Sequence, residues 1–132
     1  MKTILLVEDD PFLIDIYTTK LEQAGFSVEV AQDGKIALEK LKKENPKERK
    51  NVWPDVLVLD ILLPHISGWQ VLEEAKEKIG LKDLKVVVLS NLGEKKEIEK
   101  ASELGVEKYL IKANYTPEEV VEEIKKVIEK YS

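Results

Sequence analysis

Four short apolar runs, each closing on a polar or charged residue and each followed by a helical pattern, constrain this chain more than any other feature. They are Thr3 to Val7 before Glu8 and Asp9, Val56 to Leu59 before Asp60, Lys85 to Leu89 before Ser90, and Val106 to Ile111 before Lys112. Runs this short and this apolar suit strands buried on both faces. A fifth segment, Ser27 to Ala31, alternates polar and apolar residues and reads as a strand exposed on one face, at a sheet edge. Between the strands, apolar residues recur at helical spacing: Leu13 to Ala24, Ile36 to Leu41, Trp69 to Ile79, Ile98 to Leu104 and Val120 to Ile128.

Local signals mark the helix ends. Asp10 reads as an N-cap with Pro11 at the first helical position, and Asp33-Gly34 opens the second helix. Thr116-Pro117-Glu118-Glu119 reads as a capping box, while Gly25, Gly80 and Gly105 are stop signals. Strand and helix thus alternate five times with no room for hairpins. The implied fold class is α/β, a five-stranded parallel sheet with helices on both faces, flavodoxin-like. Right-handed crossovers and the half-exposed second strand favour the order 2-1-3-4-5, which puts strands one and three side by side where the winding reverses.

Composition narrows the function. With 132 residues the chain fits one domain, residues 1–132, with no output domain expected after the last helix. A net charge of −5 suggests no bulk nucleic-acid affinity. No stretch approaches the roughly 18 apolar residues of a membrane helix, so a cytoplasmic location is expected. The absence of cysteine excludes disulfides and thiolate metal sites, and a lone histidine, His65, excludes multi-histidine sites. His65 sits in a turn beside Pro64 and reads as a solvated residue. The polar segment Lys42 to Lys50 reads as a solvated connection, with Trp53 anchoring it to the body.

In a parallel sheet, the polar strand ends all lie on one edge. Strands sit about 4.8 Å apart, so carboxylates leaving strands one and three can share a cation. An all-oxygen set of Glu8, Asp9 and Asp60 suits a hard ion, Mg²⁺ or Mn²⁺. Such an ion leaves positions open for a phosphoryl oxygen, while Lys112 adds positive charge and Ser90 a donor. Asp60 facing this arrangement reads as a nucleophile toward phosphorus, giving an aspartyl phosphate.

Over nearly its whole length the chain resembles the receiver domains of two-component response regulators. The resemblance rests on Leu-Leu-Val-Glu8-Asp9-Asp10-Pro, Leu-Asp60-Ile-Leu-Leu-Pro64-His-Ile-Ser-Gly68, Val-Val-Leu-Ser90 and Tyr109-Leu-Ile-Lys112, in this order and spacing. It implies that Asp60 accepts a phosphoryl group from a histidine kinase or phosphotransfer protein. It also implies that Glu8, Asp9, Asp60 and the backbone carbonyl of Leu62 hold Mg²⁺. Ser90 then matches a hydroxyl that turns toward the phosphoryl group, Tyr109 a coupled aromatic switch, and Lys112 the cation paired with phosphate. The implied protein is a signalling switch rather than an enzyme, catalysing only its own phosphorylation and dephosphorylation. Its output is a partner protein docking on the face of the fourth helix, fifth strand and fifth helix, with no direct nucleic-acid or membrane contact. It acts as a monomer or phosphorylation-dependent dimer, unless the chain is a phosphorelay intermediate or an excised receiver.

The chain departs from the family pattern at Ser90, which lacks the methyl of the commoner threonine, in a Lys42 to Lys50 segment longer than the usual connection, and at Ala113 and Asn91. Ala113 stands where the family commonly has proline after a cis peptide, and a cis bond without proline costs about 3 kcal/mol. Asn91 stands where a small residue is usual, either narrowing access or adding a hydrogen bond. Two other readings compete. A metal-dependent phosphohydrolase would also form an aspartyl phosphate, but calls for a general acid two residues after the nucleophile, where this chain has Leu62. A receiver-like scaffold that is never phosphorylated would have no use for the intact set of acids, hydroxyl and lysine.

Overall fold

The computed structural model describes residues 1–131. In chain order the elements are β1 (Thr3–Val7), α1 (Pro11–Gln23), β2 (Ser27–Ala31), α2 (Gly34–Glu44), β3 (Val56–Leu59), α3 (Gly68–Glu77), β4 (Val86–Ser90), α4 (Lys95–Glu103), β5 (Lys108–Ile111) and α5 (Pro117–Lys130). A single 3-10 turn, Lys112–Asn114, joins β5 to α5. The strands form one parallel sheet in the order β2-β1-β3-β4-β5.

Solid apolar strands follow from burial on both faces. Leu5, Val7, Leu57, Leu59, Val86 and Val88 face one core, which α2, α3 and α4 cover. Ile4, Leu6, Val56, Val58, Val87 and Leu89 face the other, under α1 and α5. Successive strand residues therefore enter opposite cores, and neither face tolerates a polar side chain. Edge strand β2 keeps its alternating pattern, with four of its five residues only half-buried.

Helix starts match the chemistry of their first residues. Asp10 accepts from the Phe12 and Leu13 N–H groups ahead of Pro11, Asp33 accepts from Ile36, and Thr116 forms a complete capping box with Glu119. Gly25, Gly80 and Gly105 all adopt positive φ after the helices they follow. Two strands, β4 and β5, differ from expectation in their bounds. The Val106 N–H turns back to the Ala101 carbonyl at 3.0 Å, closing α4, so β5 starts at Lys108 rather than Val106. Ser90 joins the ladder opposite Ile111, so β4 runs Val86–Ser90, one residue later at each end than Lys85 to Leu89.

The polar segment also begins inside a helix, since α2 continues through Glu44. Beyond it, Asn45 acts as a clamp. Its Nδ2 donates to the carbonyls of Leu41 and Trp53 at 2.8 Å each, and its Oδ1 accepts from the Trp53 N–H at 2.9 Å. Trp53 is thereby held in the core, 7% exposed, as its sequence context implied. Asn45→Ala removes all three bonds and leaves a backbone N–H and two carbonyls short of partners. Its expected cost is about 2 kcal/mol, read as a lower denaturant midpoint with unchanged slope. An unchanged midpoint would show that the clamp contributes nothing.

Candidate functional site

Sheet register brings the polar strand ends together. Val7 of β1 pairs with Leu59 of β3, so Glu8 and Asp60 leave the ladder side by side, and the Asp60 N–H donates to the Val7 carbonyl at 3.1 Å. Leu59 pairs with Val88 of β4, and Ser90 with Ile111 of β5, which brings Lys112 to the same edge. Ligand oxygens of Glu8, Asp9 and Asp60 lie within 4.8 Å of one another. Glu8 and Asp60 are buried while Asp9 is exposed at the mouth. An all-carboxylate cluster of this span has the donor chemistry of a hard divalent cation, and the fit holds for the ion named above.

Lys112 joins this cluster from the turn after β5. Its Nζ lies 2.6 Å from Glu8 Oε1 and 2.6 Å from Asp60 Oδ2, so one ammonium bridges two buried acids. Burial alone would lower the Lys112 pKa, but hydrogen bonds to Asp60 and Glu8 and their charges outweigh it and hold the ammonium above 10.5. Burial raises the Glu8 carboxyl above 4.5, and the Lys112 contact and the Asp10 N–H draw it back only in part. The second oxygen of Glu8 accepts from the N–H groups of Asp9 and Asp10 at 3.2 Å each.

The raised Glu8 pKa has a measurable result. Between 4.5 and its raised value, the folded chain binds more protons than the unfolded one, so this group's contribution to stability falls as pH rises across that window. A proton on Glu8 also removes charge from the cluster. Mg²⁺ affinity is therefore expected to weaken as pH falls toward that raised value, starting above 4.5. Calorimetric titration from neutral pH down to 4.5 reads this, and Glu8→Gln should flatten the dependence while weakening binding. A wild-type affinity independent of pH over that range would contradict it.

The remaining expected site residues fall around this cluster. Leu62 donates its N–H to Asp60 Oδ1 at 3.0 Å, fixing the carboxylate in the turn after β3, and its side chain is exposed. Ser90 is fully buried, and its Oγ accepts from the Leu92 N–H at 3.3 Å. Tyr109, half-buried on edge strand β5, donates its hydroxyl to the Leu92 carbonyl. Burial, with the Glu97 and Asp60 charges, holds this phenol above its usual range. His65 lies in the exposed turn at φ 71°, outside the cluster, and Asp10 is an N-cap.

Two structural determinants were not evident from sequence. Gly68 begins α3 so close to the turn that a Cβ there would lie 2.3 Å from the Asp60 carbonyl oxygen and 2.7 Å from the Ile61 Cα. A glycine at the first position of a helix already capped by Ser67 was the available signal. Trp69 is the other. Its indole N–H donates to Glu97 at 2.9 Å, tying α3 to α4 beside the site.

A doubly wound parallel sheet with three acids at its switch point and a lysine reaching them from the turn after the edge strand defines a signalling receiver rather than a general α/β fold. The chain belongs to the response regulator receiver domain family, whose model matches residues 4–125. It is 32% identical over 131 residues to the phosphate regulon transcriptional regulatory protein PhoB of Escherichia coli, covering 99% of this chain and 53% of that protein. The chain thus spans about half the length of the curated relatives it matches. Among solved structures, it resembles the non-phosphorylated HemR receiver domain from Leptospira biflexa, with 31% identity and a TM-score of 0.81 over 97% of this chain and 94% of that one. A CheY-like receiver domain protein from Methanospirillum hungatei aligns with a TM-score of 0.83 and 25% identity, covering 98% and 95% of the two chains. Two-component signalling is the setting of this family. No helix among the described residues is long and apolar enough to cross a membrane.

Proposed function

We propose that the chain is a phosphorylation switch in which Asp60 accepts a phosphoryl group from a phosphohistidine of a histidine kinase or phosphotransfer protein. An Asp60 carboxylate oxygen forms the new bond to phosphorus as the donor's phosphorus–nitrogen bond breaks, and the departing imidazole nitrogen takes up a proton. The carrying observation is the convergence of Glu8, Asp9, Asp60 and Lys112 at one edge of the sheet. Mg²⁺ or Mn²⁺, when bound by Glu8, Asp9, Asp60 and the Leu62 carbonyl, supplies positive charge against the phosphoryl oxygens.

The chain's own residues do the rest. The Leu62 N–H orients Asp60, and Lys112 moves from pairing two carboxylates to pairing the incoming dianion. Ser90 exchanges its contact with the Leu92 N–H for one to a phosphoryl oxygen. Because Tyr109 holds the Leu92 carbonyl, that exchange is felt on β5 and α4. A shift of a few kcal/mol between two loop arrangements suffices to expose or hide the α4, β5 and α5 face to a downstream protein.

Phosphate release separates the switch from a hydrolase. With a small acyl phosphate donor and Mg²⁺, the expected result is one phosphoryl group held per chain and an end to adduct formation when Mg²⁺ is chelated. Rapid, continuous phosphate release without accumulation of adduct would replace this reading with the hydrolase.

A further inference from the structure

Three consecutive residues after Ser90 grip the edge strand and the turn that follows it. Asn91 Oδ1 accepts from the Ala113 N–H at 3.1 Å. The Leu92 carbonyl accepts from the Tyr109 hydroxyl. Gly93 packs so tightly on Ile111 that a Cβ there would lie 2.6 Å from its Cδ1. Of the three, only the Asn91 contact reaches the 3-10 turn that carries Lys112.

The bond exists because position 113 is not proline. A proline there would have no N–H to donate. Among the described residues the sole cis peptide is Trp53–Pro54, so the Lys112–Ala113 peptide is not cis, and its N–H points to the end of β4. The turn's own closure is long, with the Tyr115 N–H 3.4 Å from the Lys112 carbonyl. Asn91 therefore supplies a shorter tie from outside the turn, one residue beyond the lysine.

We infer that Asn91 is a positioning residue for Lys112: by accepting the Ala113 N–H, it fixes the turn from which the ammonium reaches Asp60 and Glu8. The inference rests on the reading of Asp60 as phosphoryl acceptor. Both Asn91 and Ala113 are exposed, so water competes for each group and the bond adds little to global stability. Its effect is on aim. Lys112 has a long, flexible stem, and placing its ammonium within 2.6 Å of two oxygens depends on where the stem begins.

The test compares wild type and Asn91→Ala, alone and combined with Lys112→Met, in the full chain. Amide exchange by NMR should show the Ala113 N–H less protected in N91A, with the thermal midpoint nearly unchanged. Labelling with a small acyl phosphate and Mg²⁺, followed by intact mass, should slow about three- to tenfold in N91A. In the Lys112→Met background the same substitution should slow it no further, because the residue being aimed is gone. A residue that merely gates access, or braces Ser90, would retain its effect there, and that result overturns the inference. Equal labelling rates for wild type and N91A overturn it as well, while leaving Asp60 as acceptor. A wild-type chain that forms no adduct overturns the acceptor reading, and the inference with it.

Discussion

Lys112→Met is expected to slow phosphorylation of the chain by about 100-fold while tightening Mg²⁺ binding by about tenfold or more. The two effects have one origin. The ammonium lies against Glu8 Oε1 and Asp60 Oδ2, which are also two of the three acids that converge for a cation. Lysine and metal thus draw on the same carboxylates, and deleting the lysine removes both a competitor and a repelling charge. The same deletion removes the cation that meets the incoming dianion. Glu8 and Asp60 are nearly sealed from water, their side chains 2% and 6% exposed. Breaking this pairing without Mg²⁺ should therefore cost about 3 kcal/mol of stability at neutral pH.

Linkage sets how the stability loss depends on conditions. Saturating Mg²⁺ should recover much of it, since an ion that binds only the folded state stabilises it in proportion to its affinity. In wild type, the Lys112 pairing is present from above the raised Glu8 pKa up to 10.5 and is lost as pH rises through the raised lysine pKa. Denaturation with and without Mg²⁺, alongside calorimetric titration of the ion, measures both effects. A K112M variant with unchanged Mg²⁺ affinity would show that the lysine and the ion do not share these acids.

Gly68→Ala should be nearly as damaging, for a reason unrelated to charge. The atoms a Cβ would meet, the Asp60 carbonyl oxygen at 2.3 Å and the Ile61 Cα at 2.7 Å, are backbone and cannot rotate away. The Gly68 N–H also donates to the Ile61 carbonyl at 2.9 Å, so α3 cannot back off without breaking that bond. A loss of about 3 kcal/mol is expected, with slower phosphorylation because the yielding segment carries Asp60. By contrast, Gly34, whose Cβ would meet side-chain atoms of Ile66 and Val71 rather than backbone, should accept alanine at lower cost. Equal penalties at the two glycines, by denaturant midpoint, would contradict the backbone-contact explanation.

The fold was legible because its signals are local and repeated. Apolar runs at β1, β3 and β4 had to be buried twice over, and the weaker alternation of Ser27 to Ala31 placed β2 at an edge. Caps at Asp10, Asp33 and Thr116 marked helix starts within the chain's own chemistry. Where boundaries slipped, as at Val106, a backbone N–H had two possible acceptors and composition does not choose between them.

The site was legible as a set of residues but not as a geometry. Strand ends named Glu8, Asp9, Asp60, Ser90 and Lys112, because a parallel sheet delivers all such ends to one edge. That Lys112 bridges two acids at once depends on the path of the 3-10 turn, which is set by contacts more than 20 residues apart in sequence, such as Asn91 with Ala113. The approach of Gly68 to the Asp60 backbone likewise arises only when α3 docks. Ala113 and Asn91 stood out one at a time as departures from the family pattern, and the hydrogen bond between them turns the two departures into one feature.

Whether Asp60 is the phosphoryl acceptor is decided by the intact mass of wild type and Asp60→Asn after incubation with a small acyl phosphate and Mg²⁺. A single base-labile phosphoryl adduct is expected on wild type and none on D60N. An adduct of equal extent on D60N, or none on wild type with the Mg²⁺ site filled, would contradict it.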